Sequence, residues 1–174
     1  MLSITITIKK IRSESMKIKI PILMLVLLIL SACNNQAEEN YQQLLTSFER
    51  NDSRLNKAFE ETMKNIEEDR NRDKALHDIN DKLIPQIEDF QQTVKNYQLE
   101  DDEQIKVQNS MLSYLEETKK LLKMYSDLNS EFFMVNSLND ESMEDSVGKQ
   151  LNEIKNQEER VSNLSNDVKT LTAK

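Results

Sequence analysis

LHDINDKLIPQIEDFQQTVKNY, residues 76–97, places Leu76, Ile79, Leu83, Ile87, Phe90, Val94 and Tyr97 at steps of three and four. Such steps return to one side of an α-helix, whose repeat is about 3.6 residues, whereas a strand would alternate every second residue. The stretch therefore predicts one amphipathic helix. Its irregularity is Pro85, which has no N–H for the preceding turn and whose ring crowds the carbonyl four residues back. A bend or break is expected near it.

The same spacing extends in both directions. Upstream it runs Tyr41, Leu44, Leu45, Phe48, Leu55, Phe59, Met63 and Ile66. Downstream come Ile105, Leu112, Leu115, Leu122, Tyr125 and Phe132, widened by Met111, Leu121 and Leu128. A last series holds Met143, Val147, Leu151, Ile154, Val161, Leu164, Val168 and Leu171. EEDRNRD (67–73) is wholly polar yet lacks glycine and proline, and it reads equally as a solvated turn of one continuous helix or a loop between two. LEDDE (99–103) offers acids to a helix N-terminus, where the peptide dipoles favour negative charge. NSLND (136–140) reads as a turn with an N-cap.

Two or three apolar residues per seven make narrow stripes, closer to a coiled-coil seam than to a broad globular face. A lone helix of this kind cannot offset the entropy of ordering its chain, so the segments must pack on one another. The expected fold is all-α: an elongated antiparallel helical bundle or coiled coil of three or four long helices, filling residues 41–174 as one domain. Composition agrees. The chain has one glycine, two prolines and no tryptophan, too few turn formers for a many-stranded sheet.

Of 23 basic and 31 acidic residues, five basic (Lys9, Lys10, Arg12, Lys17, Lys19) and one acidic (Glu14) precede Cys33, which leaves 18 and 30 from Cys33 onward, net −12. That balance argues against nucleic acid, which draws basic faces. It also argues against electrostatic adhesion to an anionic membrane surface.

MKIKIPILMLVLLILSACNN (16–35) holds the only cysteine. Lys17 and Lys19 precede the nine-residue apolar run Ile22–Leu30, which is shorter than the ~20 residues a spanning helix needs. A basic flank, a short apolar run and small residues describe an export signal. An ordinary cleaved signal with an incidental free thiol is one reading. However, Leu30-Ser31-Ala32-Cys33 resembles the lipobox of bacterial lipoproteins. That resemblance implies cleavage before Cys33 and a diacylglyceryl group on its sulfur. Residues 1–32 are then signal, with 1–15 an over-called start, and 33–40 a lipidated cysteine and polar tether. The expected location is the extracytoplasmic face of a cell membrane, held by lipid. Asn34 after the cysteine would also permit outer-membrane sorting in a Gram-negative cell. An acylated Cys33 leaves no disulfide within the monomer.

Chemistry is sparse. His77, the only histidine, can pair with Asp73 or Asp81 one turn away, but zinc usually draws three or four converging ligands, so a solvated helix face is the expected setting. The adjacent pairs Glu67/Glu68, Asp101/Asp102 and Glu158/Glu159 do not face each other on a helix, as glycosidase carboxylates must across a cleft. One glycine excludes a phosphate-cradling loop. No metal, no cofactor and no enzymatic role are expected. Phe132-Phe133-Met134-Val135 is four apolar residues in a row, of which one helix face buries two. The others either cap the bundle end or form a partner patch. Tyr41, Tyr97, Tyr114 and Tyr125 could offer rings to sugars, although Tyr41, Tyr97 and Tyr125 fall on the stripes and suit the core.

The lipobox, the early tyrosine in ENYQQLL (39–45) and the segment LKMYSDLNSEFFMVNSLNDESMEDSVGKQLNEI (122–154) together resemble the YkyA-type cell-wall-binding lipoproteins of Gram-positive bacteria. The resemblance implies a long helix, a short acidic turn and a returning helix, and contact with the cell envelope through wall polymer or an envelope protein. It carries no catalytic residues to transfer. The alternative is an assembly or regulatory module whose stripes pair with another helical protein or with a second copy of this chain.

Overall fold

The structure, a computed structural model, describes residues 36–64, 72–134 and 141–173, with side-chain surroundings at 36–64, 73–128 and 145–173. The signal segment with Leu30, Ser31, Ala32 and Cys33, most of EEDRNRD and the NSLND turn lie outside the described residues. Residues 41–174 form a compact unit. It is an all-α bundle, four helical rods packed on one another with no strand among the described residues.

Helix α1 covers 36–64. The second rod is assembled from α2 (Arg72–Asp78), a π-helical stretch (Ile79–Leu83) and α3 (Ile84–Lys95). Helices α4 (Asp102–Met134) and α5 (Glu141–Thr172) complete the order. The polar tether expected over 33–40 is instead helical from residue 36, with Gln36 Nε2 donating to Asn40 Oδ1 across one turn at 3.2 Å. Glu38 and Glu39 sit near that N-terminus, where acids stabilise a helix. The interruption expected at Pro85 takes the form of the π stretch. Pro85 lies in the first turn of α3, and the Ile84 N–H reaches back five residues to the Ile79 carbonyl. Widening the turn gives room where the proline ring would crowd an α-helix.

Asp101 starts α4. Its Oδ1 accepts the Glu103 and Gln104 N–H groups at 2.9 and 3.1 Å, while its carbonyl takes the Ile105 N–H at 2.9 Å. Two otherwise unpaired amides are satisfied, which is what an aspartate N-cap does.

Cross-helix contacts fix the directions. Gln108 reaches the carbonyls of Val94 and Tyr97, Gln91 meets Glu116, and Asn80 meets Ser126, so the second rod and α4 are antiparallel. Gln157 meets Glu117 while Leu164 flanks Ile105 and Asn109, so α5 turns back along α4. Phe48 and Asp52 meet Tyr114, and Phe59 meets Tyr125, so α1 runs the same way as α4. Alternate rods thus point alike, as short connections between neighbours require.

The centre is filled by Leu44, Ile79, Leu83, Ile87, Val94, Met111, Leu115 and Leu122, each under 2% exposed or close to it. Burying each such side chain is worth roughly 1.5–3 kcal/mol. Phe48 stacks at a tilt on Phe90, ring centroids 5.1 Å apart. Two expectations need correction. In α4 the buried set is Val107, Met111, Tyr114, Leu115, Leu121 and Leu122, whereas Ile105 and Leu112 are only half-buried. Because α4 meets α1, the second rod and α5, it must bury a broader and rotated face than a single seam. Leu151, placed on the α5 stripe by spacing, is 51% exposed. Gln150 and Ile154 line the hollow against Met124 and Leu128 at that level, and Leu151, about 100° round the helix from Gln150, falls outside it.

Three substitutions separate these positions. Leu115→Ala should cost about 2–5 kcal/mol in urea unfolding through the cavity it leaves, and Leu151→Ala should stay within about 0.5 kcal/mol. Gly148 is helical, and a methyl group added to its Cα would meet nothing within 4 Å, so Gly148→Ala should raise stability by about 1 kcal/mol.

Candidate functional site

Polar side chains reach between helices at several levels, and two of them stand where the apolar series miss a step. In α1 the series jumps from Phe48 to Leu55, and Asp52 stands on the vacant rung. Tyr114 of α4, 5% exposed, donates its hydroxyl to Asp52 Oδ1 at 2.9 Å. Asn56 Nδ2 donates to Oδ2 at 3.1 Å. Burial pushes the Asp52 carboxyl above its ordinary range, against the opposing pull of the Tyr114 hydroxyl, the Lys169 charge and Asn56. Burial, and then the neighbouring Asp52 charge, push the Tyr114 phenol upward as well.

In α5 the series jumps from Ile154 to Val161, and Gln157, buried, fills the gap. Its Nε2 donates to the Glu117 carbonyl at 3.0 Å and to Glu117 Oε2 at 2.8 Å. Arg160 holds the other oxygen of Glu117 at 2.8 Å. A third polar contact joins α3 to α4, where buried Gln91 donates to Glu116 Oε2 at 2.9 Å, and Lys119 holds the same oxygen at 3.0 Å. The hydrogen bond from Gln91, then that from Lys119, hold the Glu116 carboxyl below its ordinary value. Tyr125 donates to Glu158 of α5, and burial followed by that carboxylate pushes its phenol up. Asn80 Nδ2 donates to Ser126 Oγ at 2.9 Å from the π stretch. These pairs turn their polar atoms on each other and fix the helix register. They do not surround a shared reaction space.

His77 pairs with Asp81 at 2.6 Å, both side chains more than half exposed. This is the solvated helix face that the sequence predicts. No group of three or more histidine, cysteine or acidic side chains converges among the described residues. Of the acidic pairs, Asp101 caps α4 and Glu158 takes the Tyr125 hydroxyl, while Glu67/Glu68 lie outside the described residues. Tyr41, Tyr97 and Tyr125 pack partly buried on the core and Tyr114 lies within it. The last is the residue that sequence spacing missed. Cys33, Leu30, Ser31 and Ala32 fall outside the described residues, as does Val135. Phe132, Phe133 and Met134 lie within the helical bounds of α4, but their side chains are not among those described.

Two of the open hollows among the described residues lie along α4. One of about 320 Å³ runs along α4 between Asp102 and Ser113 and is closed on one side by Leu164. The other, about 180 Å³, lies between Met124, Asp127 and Leu128 and the Gln150–Ile154 turn. The serines of the first hollow turn their hydroxyl protons back to their own helix, Ser110 to the Lys106 carbonyl and Ser113 to the Asn109 carbonyl. Comparison with known family models, with curated proteins and with solved structures gives no match to this chain.

The Gln157–Glu117 contact should show a coupling of about 0.5–3 kcal/mol in a double-mutant cycle on urea unfolding, because both partners are partly shielded. His77→Ala should change stability by no more than about 0.5 kcal/mol, the usual range for an exposed site.

Proposed function

We propose that this chain is a non-enzymatic surface lipoprotein, anchored through Cys33 on the extracytoplasmic face of a cell membrane, whose helical bundle binds cell-wall polymer or an envelope protein. The observation that carries the reading is Leu30-Ser31-Ala32-Cys33 behind the basic flank and the apolar run Ile22–Leu30. Two or more acyl chains hold a protein stably to a bilayer where one does so only marginally, so a diacylglyceryl cysteine would suffice as the anchor. No helix among the described residues is long and apolar enough to cross a membrane. The bundle's inward-turned polar pairs suit a scaffold that presents a surface better than a site that turns over a substrate. The Phe132–Val135 run is the segment assigned to that contact.

Mass spectrometry of the product purified from its native membrane tests the anchor. A chain beginning at Cys33 and heavier by a diacylglyceryl group is expected, and Cys33→Ser should move the protein from membrane to soluble fraction. An unmodified thiol, or retention of residues 16–32, would overturn the reading. Photo-crosslinking from position 133 on intact cells tests the partner. Adducts to wall polymer or an envelope protein support the proposal, and adducts confined to a second copy of this chain support self-assembly in its place.

A further inference from the structure

The smaller hollow, about 180 Å³ between α4 and α5, differs from the larger one in its lining. Half-buried Met124 and Leu128 and buried Ile154 make it apolar. Asp127 from α4 and Glu153 from α5, both exposed, make it negative. Neither carboxylate has a hydrogen-bond or ion-pair partner among the described residues. Lys123 and Lys149 stand one turn away on the same helices, but neither lines the hollow or closes an ion pair with these acids. The larger hollow, in contrast, holds Asp102 and Lys106 together, so its charges offset each other. Beside the smaller one, next in sequence to Gln150, is Leu151, a large apolar side chain 51% exposed.

Pockets that enclose a whole small molecule run to about 300–1,000 Å³, so this hollow has room for one side chain. Its lining selects which. A purely apolar side chain would strip water from two carboxylates and return nothing, and an anionic group would be repelled. Arginine or lysine meets both demands: the aliphatic stem lies on Met124, Leu128 and Ile154 while the cation faces Asp127 and Glu153. The balance of −12 from Cys33 onward favours the approach of a basic partner and opposes an anionic one.

We propose that the α4–α5 hollow is the docking site for a basic amphipathic segment of an envelope protein, whose arginine or lysine enters beside Asp127 and Glu153 while an apolar neighbour covers Leu151. This docking role rests on the binding function proposed above, not on the anchor at Cys33, and selects an envelope protein over wall polymer as the partner. Leu128 stands one helical turn before Phe132 on α4, so the hollow continues the segment assigned to that contact.

The probe is a fluorescent helical peptide of leucine and arginine, titrated at low salt into the full chain carrying Cys33→Ser, beside a peptide with glutamate in place of arginine. Only the arginine peptide should bind. Asp127→Asn combined with Glu153→Gln should weaken it roughly fivefold. Glu49→Gln combined with Glu60→Gln removes the same charge from exposed positions on α1 and should change binding by less than about twofold, since distant charges are screened. Leu151→Ala should weaken binding while leaving the unfolding midpoint in place. Equal losses in the two double variants would reduce the binding to overall negative charge and overturn the proposal. NMR on the chain with these positions unaltered decides it without depending on how a variant folds: the methyl groups of Met124, Leu128, Leu151 and Ile154 must shift on adding the arginine peptide. Shifts confined to other residues, or displacement of the peptide from these methyls by purified wall polymer, would sink it. Adducts from position 133 to an envelope protein with these methyls unshifted would retain the binding function and overturn this site alone.

Discussion

Helix α4 has to satisfy three neighbours at once, and the rest of the bundle depends on how it does so. Its buried residues cover adjoining faces, with Met111, Leu115 and Leu122 almost completely enclosed and Tyr114 and Leu121 beside them. The stripes of α1 and α5 are too narrow to hold a helix by themselves. Each gains its stability by lying along α4. Loss of a side chain from α4 is therefore felt by several contacts, whereas loss from the flank of α5, as at Leu151, removes little.

Onto this apolar framework the chain places polar side chains that a more stable core would have omitted. Asp52 to Tyr114, Gln157 to Glu117 and Gln91 to Glu116 each tie two helices at one level. Leucines slide past one another with modest loss, but a donor displaced from its acceptor by one turn leaves a shielded group unsatisfied. Such contacts add little net energy and instead penalise every alignment but one. They also gather chemistry in the interior that is directed at the protein's own helices.

Much of the architecture was legible because a 3.6-residue period is a direct statement about which residues share a face. The segment 76–97, the acidic start of α4 and the surface setting of His77 all follow from local spacing and residue type. The registers of α4 and α5 did not, because which side of a helix is buried depends on how many neighbours it has. Val107 and Tyr114 outrank Ile105 and Leu112 only once α1, the second rod and α5 are in place. Two of the polar rungs, Asp52 and Gln157, could have been read from the gaps themselves: a seven-residue step from Phe48 to Leu55, or from Ile154 to Val161, skips a turn that must still face inward. The candidate anchor at Cys33 rests on sequence alone, since the fold that can be described begins at residue 36.

The widened turn at Ile79–Leu83 has a consequence for how this rod tolerates change. Its looser spacing lets the helix pass Pro85 without breaking, while Ile79 and Leu83 stay on the core side with Ile87, Phe90 and Val94. A residue added within the regular α-helical part of the rod, between Ile87 and Val94, would turn everything beyond it by about 100°, whereas the wide turn can take up a change of length inside the helix, so the rod's tolerance of insertion or deletion is concentrated there.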